Sequence, residues 1–101
     1  MEIELITDNF ELTDEQAETI GNKFDAKLDR LLVNYAPDVK EATMTVEKRS
    51  RWGYKLKFTM TLPGNEYLHA DAVNDSFETG IVNLREKLER QIKEYKEEIR
   101  S

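Results

Sequence analysis

Cysteine is absent from this chain of 101 residues. That excludes a disulfide frame, a thiolate nucleophile and any metal site built on sulfur. A single histidine, His69, leaves no second imidazole to share a metal ion. Only two prolines and four glycines are present, and no stretch reads as a flexible linker or a low-complexity segment. Apolar runs are short, far below the roughly 18 residues of a membrane-spanning helix. A signal-peptide pattern is also missing. These absences predict a soluble, cytoplasmic protein. No internal repeat is found, and the length suits one domain over residues 1–101, with room for one modest core. There is no glycine-rich phosphate loop, nucleophile elbow or metal-ligand spacing. The carboxylates are many but scattered. The expectation is therefore a binding protein with no catalytic residues, no cofactor, no metal and no small-molecule substrate.

What the chain has in quantity is charge, unevenly spread. Its net charge is -6. Residues 1–39 hold ten acids and three bases, whereas residues 40–57 hold six bases and two acids. An anionic ligand would have to be met by a local patch, because the field of the whole molecule repels it.

The order of elements is legible from periodicity. Met1 to Thr7 alternates around Ile3 and Leu5, as a strand does. Thr13 opens a helix with Gln16 three residues on, the spacing of a capping box. Ala17, Ile20, Phe24, Leu28, Leu31 and Tyr35 form its apolar face, and Gly21 within it would allow close contact with a sheet. Pro37-Asp38 ends it. Residues 39–48, 54–62 and 66–73 then alternate as strands. The first link between them, Arg49-Ser50-Arg51-Trp52-Gly53, is hairpin-sized. The second, Pro63-Gly64-Asn65, is a tight turn. Asp75 would cap a final helix, with Glu78 three residues on, whose buried stripe is Phe77, Ile81, Leu84, Leu88, Ile92, Tyr95 and Ile99. A helix between the first two strands makes them parallel, and the other pairs are antiparallel. Each strand is apolar on one face only. The expected fold is thus a two-layer α+β domain, β-α-β-β-β-α, with a four-stranded mixed sheet in the order 1-2-3-4 and both helices on one face.

This order, together with the residues LHADA...F...I..L..KLERQ....K between Leu68 and Lys96, resembles the short ribosome hibernation promoting factors, or sigma-54 modulation family. The resemblance covers nearly the whole chain and implies the same fold. It also implies a partner, the small ribosomal subunit, with the last helix lying on ribosomal RNA in the decoding region. On that reading Lys87, Arg90, Lys93 and Lys96 meet phosphates, helped by Lys23, Lys27 and Arg30 of the first helix.

The residues themselves leave alternatives open. Arg85–Glu89, Glu86–Arg90, Glu89–Lys93 and Lys93–Glu97 are all at i,i+4 spacing, so taken alone the segment reads more readily as a solvated surface laced with ion pairs. Lys48, Arg49 and Arg51, with Lys55, Lys57, Trp52 and Tyr54, suit either a nucleic-acid contact with stacking aromatics or an ordinary polar turn. His69 and Asp71 share a strand face and suit a surface hydrogen bond better than catalysis. A different class of function is a protein-interaction or homodimerising module with the same fold. The oligomeric state is left open.

Overall fold

The computed structural model describes residues 2–8, 10–32, 40–49 and 53–100. Tyr35, Pro37, Asp38, Arg51 and Trp52 lie outside these, as does the side chain of Ile99. Strand β1 (Ile3–Asp8) is followed by α1 (Asp14–Ile20), a π-helical segment (Gly21–Asp25) and α2 (Ala26–Leu31). Then come β2 (Lys40–Lys48), β3 (Tyr54–Leu62), β4 (Glu66–Asn74) and α3 (Phe77–Arg100). The sheet has the order β1-β2-β3-β4. β1 runs parallel to β2, with Leu5 opposite Met44, and the other pairs are antiparallel.

One face of this sheet carries the core. Met44, Val46, Leu56, Phe58, Met60 and Leu62 are buried, with the small Ala70 and Ala72 on β4. Phe24, Leu28, Phe58, Leu68, Ile81, Leu84 and Leu88 all fall in the single buried cluster, so both helical layers cover the same side. Phe24 meets Phe58 edge-on at 4.9 Å between ring centres. Among the described residues no polar or charged side chain is buried.

Three local expectations change. First, Ala17 is exposed, and Leu32 takes the fully buried place expected of Leu31, which is half-buried. The buried residues are Ile20, Phe24, Leu28 and Leu32, every fourth one. Each four-residue step overshoots a 3.6-residue turn by about 40°. The wide turn at Gly21–Asp25, closed by the Ala26 N–H on the Gly21 carbonyl, takes back part of that drift.

Second, Gly21 makes no close contact. A Cβ there would meet nothing within 4 Å, and its φ of −61° is ordinary helix. The close helix–sheet approach is at Gly80, where a Cβ would lie 2.9 Å from Leu56 Cδ1. The two glycines therefore predict opposite results. Gly21→Ala should stabilise by about 0.5–1 kcal/mol through helix propensity. Gly80→Ala should destabilise by about 1–3 kcal/mol through overpacking. Denaturant unfolding of both variants checks this, and the same sign for both would contradict the packing described.

Third, Ser76, not Asp75, caps α3. The Ser76 Oγ accepts from the Thr79 N–H at 3.3 Å, while the Asn74 side chain accepts from the Ser76 N–H at 2.9 Å. That short turn places Ser76 one residue ahead of the helix. The first helix starts as expected: Thr13 and Gln16 exchange both capping-box bonds, at 3.0 and 3.1 Å. At the hairpin, Gly53 has φ +66°, and a Cβ on it would lie 2.2 Å from the Asn74 main-chain oxygen. Only glycine suits that position, where the β2–β3 link touches the chain entering α3.

Candidate nucleic-acid interface

The cations expected to bind RNA divide by where α3 carries them. α1, the π segment and α2 run alongside α3 in the same direction. Lys23 is ion-paired with Glu78 near the start of α3, and Leu31 lies beside Ile92, Lys93 and Lys96 near its end. The π segment helps to join the two. Within it, the Lys23 main-chain oxygen accepts from Arg85 Nη1 at 3.0 Å. No periodicity signalled this role for Arg85.

Towards the C-terminal end, Leu31, Glu89, Ile92, Lys93 and Lys96 line an interhelical groove of about 360 Å³. Lys27 and Arg30 are exposed on the adjoining α2. On the opposite flank of α3, a groove of about 350 Å³ runs along β4 and is lined by His69, Asp71, Lys87, Arg90, Gln91 and Glu94, with Ala70 at its base. Lys48 and Arg49 are exposed at the hairpin end of the sheet, beside the start of α3. Phe77 to Lys93 is sixteen residue steps along α3, or about 24 Å of helix. The hairpin cations and the helix-end cations are therefore two groups. Arg51 falls outside the described residues.

The expected lacing of α3 is mostly unmade. Arg85 Nε lies 2.7 Å from Glu89 Oε1, an ion contact whose N–H is not aimed for a hydrogen bond. Among the described residues, Arg90, Lys93 and Lys96 make no ion pair, although Glu86 and Glu97 stand one turn from Arg90 and Lys93 respectively. Two other candidates are engaged within the protein. Lys23 is held by Glu78. Lys87 Nζ donates to the Asp71 main-chain oxygen at 2.6 Å, and next to it Gln91 Nε2 donates to the His69 oxygen at 2.8 Å. Asp25 sits between Lys23 and Lys27, and burial pushes its carboxyl above its ordinary value, with Asp29 adding to the shift. It therefore loses its charge earlier on acidification than an open surface carboxylate does.

Tyr54 is not an open stacking platform. Its ring packs on Phe10 and Phe77, and its hydroxyl accepts from Gln16 Nε2 at 3.2 Å. Lys55 and Lys57 project from the opposite, uncovered face of the sheet, where they line a shallow depression with Asp8, Thr45 and Glu47. His69 Nε2 is 3.9 Å from Asp71 Oδ2, both side chains about half exposed, which is a surface pair. No group of three or more metal-ligating side chains occurs among the described residues. No helix there is long and apolar enough to cross a membrane.

Solved structures share this fold. The N-terminal domain of Thermus thermophilus Protein Y superposes with a TM-score of 0.76 at 24% identity, over 94% of this chain and 99% of that one. A ribosomal subunit interface protein from Coxiella burnetii gives 0.71 at 17% identity, over 95% and 98%. No curated protein sequence matches the chain. The family described as Sigma 54 modulation protein / S30EA ribosomal protein matches from residue 3 to residue 100, and with that match, the fold and the cation-bearing helix pair together, the chain belongs to this ribosome-associated family.

Proposed function

We propose that this protein is a translation inhibitor that docks on the small ribosomal subunit in the decoding region during dormancy or stress. Its helical face meets ribosomal RNA there and blocks the sites of messenger and transfer RNA. The observation that carries this reading is the set of cations on α3 without an acidic partner. Arg90, Lys93 and Lys96 lie along one helix, backed by Lys27 and Arg30 on α2, and none makes an ion pair among the described residues. A solvated face whose charges cancel pairwise would bury them in contacts with Glu86, Glu89 and Glu97. Open guanidinium and ammonium groups are instead ready to bind phosphate oxygens. The Coxiella protein named above is itself a ribosomal subunit interface protein, which fits the same surface use. The reading assigns no catalytic step to any residue, and residues 1–101 act as one binding domain.

The acidic balance sets a condition. A net charge of -6 repels bulk RNA, and distant acids stop mattering beyond about 8 Å at physiological salt. Binding then depends on a site shaped to the cation groups. Co-sedimentation should show measurable association with intact small subunits, falling as salt rises, and weak association with arbitrary duplex RNA. Transfer RNA bound at the decoding site should compete. Strong, indiscriminate binding to duplex RNA would contradict the reading. No binding to subunits even at low salt would favour a protein-interaction module.

A further inference from the structure

The two edges of the sheet are finished differently. β4, at one edge, has two neighbouring outward carbonyls occupied: Lys87 donates to that of Asp71 and Gln91 to that of His69. An incoming strand would have to displace both side chains, so pairing along the middle of this edge is obstructed. β1, at the other edge, pairs only with β2. Every second residue of a strand in this position turns its N–H and C=O outward, and among the described residues nothing receives them.

The side chains of β1 are equally uncovered. All of its residues except Ile3 are exposed. Leu5 and Ile6, which point to opposite faces, are 42% and 45% exposed. Leu5 is on the core side, opposite the fully buried Met44, so the helical layer stops short of this edge. Unmet main-chain groups flanked by an apolar residue on each face are what strand addition uses.

Charge selects the occupant. Glu4 and Asp8 lie on the strand, and Asp8 is directly opposite Glu47 on β2; Lys55 faces Glu47 from the β3 side, which leaves Glu4 and Asp8 as the charges at the outer edge. A second copy of β1 would bring like charges together across the new pair, which is unfavourable. A strand bearing lysine or arginine relieves that repulsion. We propose that the free edge of β1 accepts an extended segment of a basic protein as a fifth strand, with apolar side chains covering Leu5 on the core face and cations on the other face, beside Ile6, meeting Glu4 and Asp8. This site lies on the sheet edge and is independent of the RNA-facing helices.

The test uses the full chain with a short peptide of alternating lysine and valine. Amide hydrogen exchange should slow at least about tenfold at alternate residues of β1, and not in β4, when the peptide binds. N-methylating every second peptide amide removes the donors a strand needs while keeping its charge, and should weaken binding at least about tenfold. A glutamate–valine peptide should not bind. Charge reversal at Asp8 (Asp8→Lys) should weaken binding of the lysine peptide with the fold intact by circular dichroism. Equal binding of the N-methylated peptide would reduce the effect to charge attraction and overturn the proposal. Protection confined to β4, self-association of the chain through β1 that excludes the peptide, or no binding at ~1 mM peptide would overturn it as well.

Discussion

Leu84→Ala should lower unfolding free energy by about 2–5 kcal/mol, a large loss for a single truncation. Leu84 is fully buried on α3 between Ile81 and Leu88, which are fully buried too. Truncation loses the transfer energy of the removed carbons and leaves a cavity. Urea unfolding at matched m-values measures the cost. A loss below about 1 kcal/mol would mean that α3 presents a different face to the core.

Reversing Arg90 and Lys93 together (Arg90→Glu with Lys93→Glu) should have the largest effect on binding. Each lost phosphate contact removes about one released counterion, so the slope of log affinity against log salt should flatten by about two. The repulsion added by two new carboxylates weakens association further at low salt. Both side chains are exposed and make no ion pair, so the fold should survive. His69→Ala serves as the control: its half-exposed pair with Asp71 carries nothing in the proposed interaction, and ribosome association should be unchanged. Equal binding by wild type and the double reversal would remove α3 from the interface.

The fold was readable because each strand alternates cleanly and each helix carries an apolar stripe, so periodicity alone specified which faces meet. The failures are local and share a cause. Leu31 and Leu32 are adjacent, and an ordinary helical repeat favours the wrong one; only the series Ile20, Phe24, Leu28, Leu32 hinted at a wider turn. Gly21 and Gly80 look alike in sequence, and what separates them is the distance to Leu56, which no local pattern encodes. Asp75 and Ser76 are both good caps, and the Asn74 side chain decided between them. The site was less legible than the fold. Basic residue types and spacing marked the candidates. Whether Lys23 would be held by Glu78, Lys87 by a strand carbonyl, or Arg90 left open depends on contacts between elements far apart in the chain.

The bare backbone contact at Gly53 ties the start of β3 closely to the chain entering α3. Because the link rests on the Asn74 oxygen with no side chain between them, Lys48 and Arg49 are docked to the root of α3. The reach from them to Lys93 and Lys96 is set by a rigid helix. Under the proposed function the molecule would act as a calliper whose arm, Phe77 to Lys93, is about 24 Å of helix. Single cations grip any polyanion, whereas a calliper grips only one whose phosphates are held at a matching separation. A folded RNA surface offers such fixed spacing, and a flexible single strand does so only after losing entropy to adopt it.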